Sequence, residues 1–148
     1  EDGLAVSAEY HVRAMAITPA GEVFAAIYDS LSTPASPWKY ISSNKGTWEV
    51  SPNGAGDIVS IVVTPGGDYW CASPNRIYIF GNGRSLTLSP NIDFAGVYVR
   101  TLALDPDGGV LVGTDNGAVR FTTVGGTPKL VTTYLKGKNI RSVAVDPK

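Results

Sequence analysis

The chain has 148 residues and a mass of 15.6 kDa, which is the size of one domain. Its 12 basic and 13 acidic residues leave a net charge of −1, and this balance argues against a nucleic-acid partner. One cysteine and one histidine exclude an internal disulfide and make a zinc site a poor hypothesis. No apolar run approaches the roughly 18 residues of a membrane-spanning helix, and no motif calls for a cofactor.

The composition favours strands over helices. Val, Ile and Thr contribute 16, 9 and 12 residues, and such β-branched side chains pack well on a pleated surface. Only four Glu and no Gln are present, so good helix formers are scarce. Short runs of strand formers alternate with clusters of Gly, Pro, Asn and Asp. This pattern predicts an all-β chain.

A seven-residue segment recurs four times and ends each time in proline. The copies are residues 13–19, 59–65, 100–106 and 141–147. The prolines are separated by 46, 41 and 41 residues. In the first three copies a glycine stands two residues after the proline, which predicts a hairpin turn in which the glycine has a positive φ. Asp105 and Asp146, which precede their prolines, are interpreted as turn-capping residues.

Each repeat predicts four short antiparallel strands, the first of them formed by the recurring segment. The second strands are predicted at Glu22–Tyr28, Asp68–Ser73 and Gly109–Thr114. The third strands are predicted through Trp38–Ile41 and at Arg76–Phe80 and Ala118–Thr123. The fourth strands are predicted at Trp48–Ser51, Ser85–Ser89 and Lys129–Tyr134. Four strands in about 41 residues is the size of one β-propeller blade.

We therefore predict an all-β fold that is a partial β-propeller of about 3.5 four-stranded blades. A single domain spans residues 1–148. Its blades are predicted at residues 12–57, 58–98 and 99–139, with lone strands at 4–10 and 140–146. Because a propeller has at least about four blades, ring closure is expected from blades of a longer chain or from association of identical chains. The first explanation is the favoured one.

Residues 105–121 read Asp-Pro-Asp-Gly-Gly-Val-Leu-Val-Gly-Thr-Asp-Asn-Gly-Ala-Val-Arg-Phe. This stretch resembles the repeat of two-component-regulator propellers, Asp-x-x-Gly-x-Leu-Trp-Val-Gly-Thr-x-x-Gly-Leu followed by an aromatic residue. Leu111 stands where that family prefers Trp. The second repeat keeps an aromatic residue there, Trp70, but has Cys-Ala-Ser in place of Val-Gly-Thr. The resemblance implies a propeller in the sensor part of a bacterial signalling protein or in a secreted relative, hence a periplasmic or extracellular location.

The first repeat departs from that pattern. Residues 40–49, Tyr-Ile-Ser-Ser-Asn-Lys-Gly-Thr-Trp-Glu, resemble the Asp-box turn of sialidase-type propellers, Ser-x-Asp-x-Gly-x-Thr-Trp. The stretch is one residue short, and Asn44 replaces the aspartate. The Asp-box is a structural turn, so this resemblance does not by itself imply hydrolysis.

Arginine fills the same repeat position at Arg13, Arg100 and Arg141, six residues before the turn proline. In a propeller the start of the innermost strand and the turn between the second and third strands lie at one rim of the central channel. Those turns carry Asp29, Asn75, Asp115 and Asn116. Because guanidinium pairs bidentately with carboxylate, these residues predict a rim that binds a small anionic or carbohydrate ligand, or a protein. The alternative is that each arginine pairs structurally with a neighbouring acid or carbonyl.

Three aromatic residues lie in the divergent first repeat: Trp38, Tyr40 and Trp48. If exposed together they suit stacking on sugar rings, and the alternative is packing within or between blades. His11 is a candidate general base or a hydrogen-bonding residue at a strand start. Cys71 is expected to be a buried small hydrophobe.

The leading functional hypothesis is a non-catalytic module that binds a ligand or a partner. One alternative is a piece of a sialidase- or xyloglucanase-like glycoside hydrolase whose catalytic acids lie partly elsewhere. A second alternative is a purely structural scaffold. No serine or cysteine stands in a recognisable arrangement with histidine and an acid, so we predict no catalytic residue.

Overall fold

The chain folds into three four-stranded antiparallel sheets in a computed structural model. It describes residues 10–18, 20–29, 32–41, 47–50, 57–89, 98–123 and 126–146, and it describes no side chain between residues 28 and 50. The prediction of an all-β fold is confirmed. Within the described residues no helix is long and apolar enough to cross a membrane.

Each sheet is a meander whose strands pair in chain order. The first sheet contains β1 (Tyr10–Ile17), β2 (Val23–Asp29), β3 (Ser32–Ile41) and β4 (Thr47–Val50). The second contains β5 (Ser60–Val63), β6 (Tyr69–Ser73), β7 (Arg76–Gly81) and β8 (Arg84–Leu88). The third contains β9 (Val99–Leu104), β10 (Val110–Thr114), β11 (Gly117–Thr122) and β12 (Lys129–Tyr134).

Two predicted lone strands have different outcomes. The predicted strand at 4–10 lies outside the described residues except for Tyr10, which begins β1. Residues 140–146 form no strand, because a ladder requires a neighbouring strand and none flanks them in the described part of the chain. They nevertheless lie against the third sheet, to which the Ile140 N–H is bonded through the Thr114 carbonyl at 2.8 Å.

The turns that follow the recurring segments share one geometry. The backbone N–H groups of Gly21, Gly67 and Gly108 donate hydrogen bonds of 2.8 to 2.9 Å to the carbonyls three residues earlier. The φ angles of these glycines are +83°, +83° and +80°. The predicted turn chemistry is therefore confirmed in all three repeats, because only glycine adopts this region of φ without strain.

Successive sheets pack face to face. Strand β5 lies against β1 and β2, and β9 lies in the same way against β5 and β6. Neighbouring residues of one strand point to opposite faces, and Trp70 and Cys71 of β6 are both fully buried. The second sheet is therefore covered on both faces, by the first sheet on one side and the third on the other.

A small residue recurs where the first strand of one sheet crosses the second strand of the previous one. Ala26 and Ala72 hold this position in the first two sheets, and both are fully buried beneath the next strand. Gly113 holds it in the third sheet. A Cβ atom on Gly113 would lie 3.0 Å from Ile140 Cγ2 and 3.2 Å from Val143 Cγ1. Residues 140–146 thus sit on the third sheet much as β9 sits on the second.

Candidate functional site

Two of the predicted arginines share an irregularity of the backbone. The β1–β2 ladder skips Arg13, and the β9–β10 ladder skips Arg100, so each arginine lies within a β-bulge. A bulge bends its strand and redirects the side chain of the extra residue. The repeated arginine is therefore also a repeated local geometry, a feature that strand periodicity did not predict.

The arginines differ in their partners. Arg13 forms an ion pair with Asp57, and the two side chains are 45% and 52% exposed. The Arg100 guanidinium lies 5.8 Å from the centre of the Tyr98 ring, within the range of a cation–π contact. Arg141 is exposed. The structural alternative, in which an arginine pairs with a neighbouring acid, holds at Arg13, whereas the described side-chain contact of Arg100 is aromatic.

Hydrogen bonds hold the start of β9 between two predicted turns. The Val99 N–H donates to the Pro74 carbonyl at 2.7 Å, which fixes the β6–β7 turn beside β9. The Tyr98 N–H donates to Asp115 Oδ1 at 3.0 Å, and the Asp115 N–H donates back to the Tyr98 carbonyl at 3.1 Å. Asn75 follows Pro74 in its turn, so the structure brings Asn75, Arg100 and Asp115 to the same end of the sheets.

The hydrogen bonds at this end of the sheets continue to the last predicted arginine, Arg141. The Gly137 N–H donates to the Asn116 carbonyl at 3.1 Å, and Arg141 directly follows Ile140, which is bonded to the third sheet at this end. The β6–β7 and β10–β11 turns share one internal bond: the Ser73 hydroxyl donates to the Arg76 carbonyl at 3.3 Å, and the Thr114 hydroxyl donates to the Gly117 carbonyl at 2.8 Å. A hydroxyl two residues earlier bonds each asparagine: Ser73 donates to Asn75 Oδ1 at 3.3 Å, and the Asn116 N–H donates to Thr114 Oγ1 at 3.1 Å.

The remaining predicted residues lie on the first sheet. Asp29 pairs with Tyr10 at the same end of the sheets as Arg13. Tyr40 pairs with Trp48, and Trp38 pairs with Val50, in the β3–β4 ladder. The side chains of Asp29 and of the three aromatic residues lie outside the described part of the structure, so their stacking role stays a prediction.

Sequence reasoning missed several residues of this end. Tyr98 is 49% exposed beside Arg100. Arg76 begins β7, and Lys136 and Lys138 lie in the turn that bonds Asn116. The repeat comparison overlooked them because none occupies the recurring segment. The signal that could have found Lys136 and Lys138 is the Lys-Gly-Lys sequence of the loop that follows β12.

We name the cationic group at this end of the sheets the basic end. It consists of Arg76, Arg100, Lys136, Lys138 and Arg141. All five residues are exposed. Among the side chains that the structure describes, the carboxylates at this end are Asp115 and the Asp57 that pairs with Arg13.

The opposite end of the sheets is acidic, and its two arginines form ion pairs with carboxylates. Asp68 binds Arg84, and Asp105 binds Arg120. Asp105 also accepts a 2.9 Å hydrogen bond from the Asp107 N–H, which confirms its predicted turn-capping role. The Arg120 side chain and the Asp107 N–H stabilise the Asp105 carboxylate and lower the pKa of that group below its usual value.

The other two titratable candidates have separate positions. His11 is exposed on β1 near the basic end. Cys71 is fully buried in the interface between the first and second sheets, and this burial raises the pKa of its thiol to about 12. Cys71 is thus a buried small hydrophobe, as predicted. The described residues contain no group of three or more His, Cys, Asp or Glu arranged to hold a metal ion.

A groove of about 530 Å³ lies between the third sheet and residues 140–146. Its walls include Leu111, Ala118, Tyr134 and Val143, with Asp105 and Arg120 at the acidic end. Leu111 holds the repeat position of Trp70, whose ring packs on Phe121 of the next sheet at a centroid distance of 5.8 Å. The groove therefore lies on the face of the third sheet that corresponds to the face of the second sheet covered by the third.

No protein-family model and no curated protein matches the chain. Among solved structures, the chain is similar to a protein of unknown function from Bacteroides caccae, with 16% sequence identity and a TM-score of 0.55. The match covers 86% of this chain and 48% of that protein, so the chain spans about half of the similar structure. At this identity the similarity shows a shared fold alone.

Proposed function

We propose that this chain is part of a β-propeller and that it acts as a non-catalytic binding module through its basic end. The repeated junction between sheets supports the propeller. The first strand of each following sheet lies on the first two strands of the sheet before it, at β5 and again at β9. Radial repetition of four-stranded sheets with the first strands innermost is the propeller arrangement.

Two further observations support a ring larger than three sheets. Residues 140–146 cover Gly113 as the first strand of a fourth blade would. The similar solved structure is about twice as long as the part that this chain covers. The missing blades would come from a longer chain or from identical chains. The resemblance of residues 105–121 to regulator propellers supports a bacterial sensor or secreted protein, in the periplasm or outside the cell.

The observation that carries the binding function is a set of hydrogen bonds between turns and strand starts: Val99 to Pro74, Tyr98 to Asp115, Gly137 to Asn116 and Ile140 to Thr114. These bonds bring the neighbouring residues Asn75, Arg100 and Arg141 to the same end of the sheets as Asp115 and Asn116. These residues come from two turns and two strand starts, separated by up to 66 positions in the sequence. Asn75, Arg100 and Arg141 are exposed, whereas Asp115 and Asn116 are half-buried. Donors and acceptors held on hydrogen-bonded turns form a preorganised surface for a small anionic or carbohydrate ligand. Binding residues are also commonly found on loops that a rigid scaffold holds in place.

A glycan array combined with a panel of chromogenic glycosides tests this function. We expect binding without turnover, and we expect Arg100→Ala to weaken binding while the unfolding midpoint stays unchanged. Lys129→Ala is the matched control, because Lys129 is an exposed cation at the opposite end of the sheets. Turnover would favour the glycoside hydrolase instead. A loss of stability in Arg100→Ala without any ligand binding would favour a structural scaffold.

A further inference from the structure

We infer that the ligand of the basic end is an oligosaccharide that carries carboxylate groups. This inference rests on the proposed function, since it names the ligand class of the same surface. Its basis is the separation of charge between the two ends of the sheets, together with the exposed aromatic ring and the amide groups that lie among the cations.

The net charge of −1 conceals a strong asymmetry. The five cations of the basic end face two described carboxylates: Asp57, which is paired with Arg13, and Asp115, which is bonded to the Tyr98 N–H. The opposite end holds the other described carboxylates, which are Glu22, Asp68, Asp105, Asp107 and Asp146. Two of its cations, Arg84 and Arg120, are engaged by Asp68 and Asp105, and Lys129 is a third. Such a distribution directs anions to the basic end and repels them from the other.

The position of Arg100 at this end suits the binding of a carboxylate. Arg100 lies in a bulge and rests against the Tyr98 ring, which restricts the guanidinium without occupying its hydrogen-bond donors. A planar guanidinium binds a carboxylate through two parallel hydrogen bonds. Arg141 repeats the same sequence position one unit further on. The second repeat has Val59 at this position, so the arginine recurs in the basic end at Arg100 and Arg141. Two arginines at successive repeats suit a ligand whose carboxylates also recur along a chain.

The groups between the cations favour a sugar. Tyr98 is 49% exposed, so part of its ring is accessible for contact with a sugar face. Asn75 is exposed in the β6–β7 turn, where the Ser73 hydroxyl engages its carbonyl oxygen and orients its amide group. An amide can hydrogen-bond a sugar hydroxyl while a neighbouring arginine binds a carboxylate, so this arrangement suits a sugar chain that carries both groups. A nucleic acid gains its affinity mainly from phosphate contacts, so single-stranded DNA is the anionic probe that distinguishes phosphate from carboxylate recognition.

The test is calorimetric titration of the full chain with an oligogalacturonate, with a neutral oligogalactan of the same length, and with single-stranded DNA. We expect the oligogalacturonate to bind roughly tenfold or more tightly than the neutral chain, because charge-assisted bonds are the stronger ones. The affinity should fall as the salt concentration rises. Arg100→Gln and Arg141→Gln should each weaken uronate binding roughly tenfold.

Lys129→Gln removes one exposed cation at the other end and should leave the affinity unchanged. Equal affinity for the neutral and the charged chains, lost in Tyr98→Ala but kept in Arg100→Gln, would overturn the inferred carboxylate and leave the proposed binding function intact. Tighter binding of DNA would overturn the inference as well. Absence of binding to every probe, with all variants folded to the same unfolding midpoint, would overturn the inference. Absence of binding on the glycan array as well would overturn the proposed function.

Discussion

The Ser60 hydroxyl accepts a 3.0 Å hydrogen bond from the backbone N–H of Leu102, and this bond joins β5 to β9 across two sheets. Ser60 holds the second position of the recurring segment. Thr101 and Ser142 place hydroxyls at the same position in the next two repeats, whereas the first repeat has Ala14. A hydroxyl at this position accepts a hydrogen bond from a backbone N–H in the first strand of the next sheet. That N–H has no acceptor in the ladder of its own sheet.

Ser60→Ala should lower the free energy of unfolding by about 1–3 kcal/mol, because the N–H of the buried residue Leu102 loses its acceptor. Urea unfolding monitored by tryptophan fluorescence measures this change. Ser85→Ala is the control, since Ser85 is exposed on β8 and belongs to no junction between sheets. Equal unfolding midpoints for the two variants would show that the Ser60 bond contributes nothing.

Gly113→Ala should destabilise the packing of residues 140–146 on the third sheet. The added Cβ atom would lie 2.6 Å from Thr101 Cγ2 and 3.0 Å from Ile140 Cγ2, so the side chains must move apart. Overpacking of this kind costs about 1–3 kcal/mol. The expected results are a lower unfolding midpoint and faster protease cleavage near residue 140. Gly66→Ala is the control because its Cβ atom would meet only ordinary contacts.

The Cys71 thiol should be unreactive in the folded protein. Its pKa of about 12 leaves very little thiolate at pH 8, and the side chain is fully buried. Ellman's reagent should therefore label it slowly in buffer and quickly in denaturant. Rapid labelling of native protein, at the rate of a free thiol, would contradict the packing of the first sheet against the second.

The stability contributed by Asp105 should depend on pH. Its folded-state pKa lies below that of the unfolded chain, so the ionised form favours folding. The contribution is complete above the usual carboxyl pKa of about 3.9, and it disappears as the pH falls through the lower folded value.

Asp105→Asn should therefore be less stable than the parent protein at pH 7, and the difference should shrink in acid. Asp107→Asn is a matched control, because the Asp107 side chain is 86% exposed and its backbone N–H is retained. Chemical denaturation at several pH values measures both variants. A difference between Asp105→Asn and the parent that stays constant down to pH 2 would contradict the role of the Asp105–Arg120 pair.

The outer face of β1 should associate with another sheet. Val12 and Met15 are 54% and 57% exposed, whereas the same repeat positions are almost fully buried in the next two sheets, at Ile58, Ile61, Val99 and Leu102. In a propeller a preceding blade covers these positions. The 148-residue chain alone should therefore self-associate as its concentration rises.

Met15→Lys combined with Val12→Lys should suppress that self-association, because the charges must remain in water. Sedimentation velocity over a range of concentrations measures it. The exposed residue Thr87 of β8 offers a control substitution, Thr87→Lys, away from this face. A parent protein that sediments as a cooperative monomer at every concentration would count against an open propeller.

The sequence by itself determined the features that depend on short-range pattern. Alternation of strand formers with Gly and Pro placed the strands to within about a residue at most ends, as at Lys129–Tyr134, which the structure reproduces unchanged. The recurring segment marked the three sheets, and the prolines with their glycines marked the turns. These predictions succeeded because strand propensity and turn dihedrals are properties of a few consecutive residues.

Only the tertiary structure decided which of the candidate residues meet. The bulge at Arg100 depends on the register of β9 against β10, and the contact of Asp115 with Tyr98 joins residues 17 positions apart. The pairing of Arg13 with Asp57 spans 44 positions. The separation of charge into a basic and an acidic end follows from strand direction, because each reversal of an antiparallel chain sends alternate turns to opposite ends of the sheet. A net charge counted along the sequence contains no information about that direction.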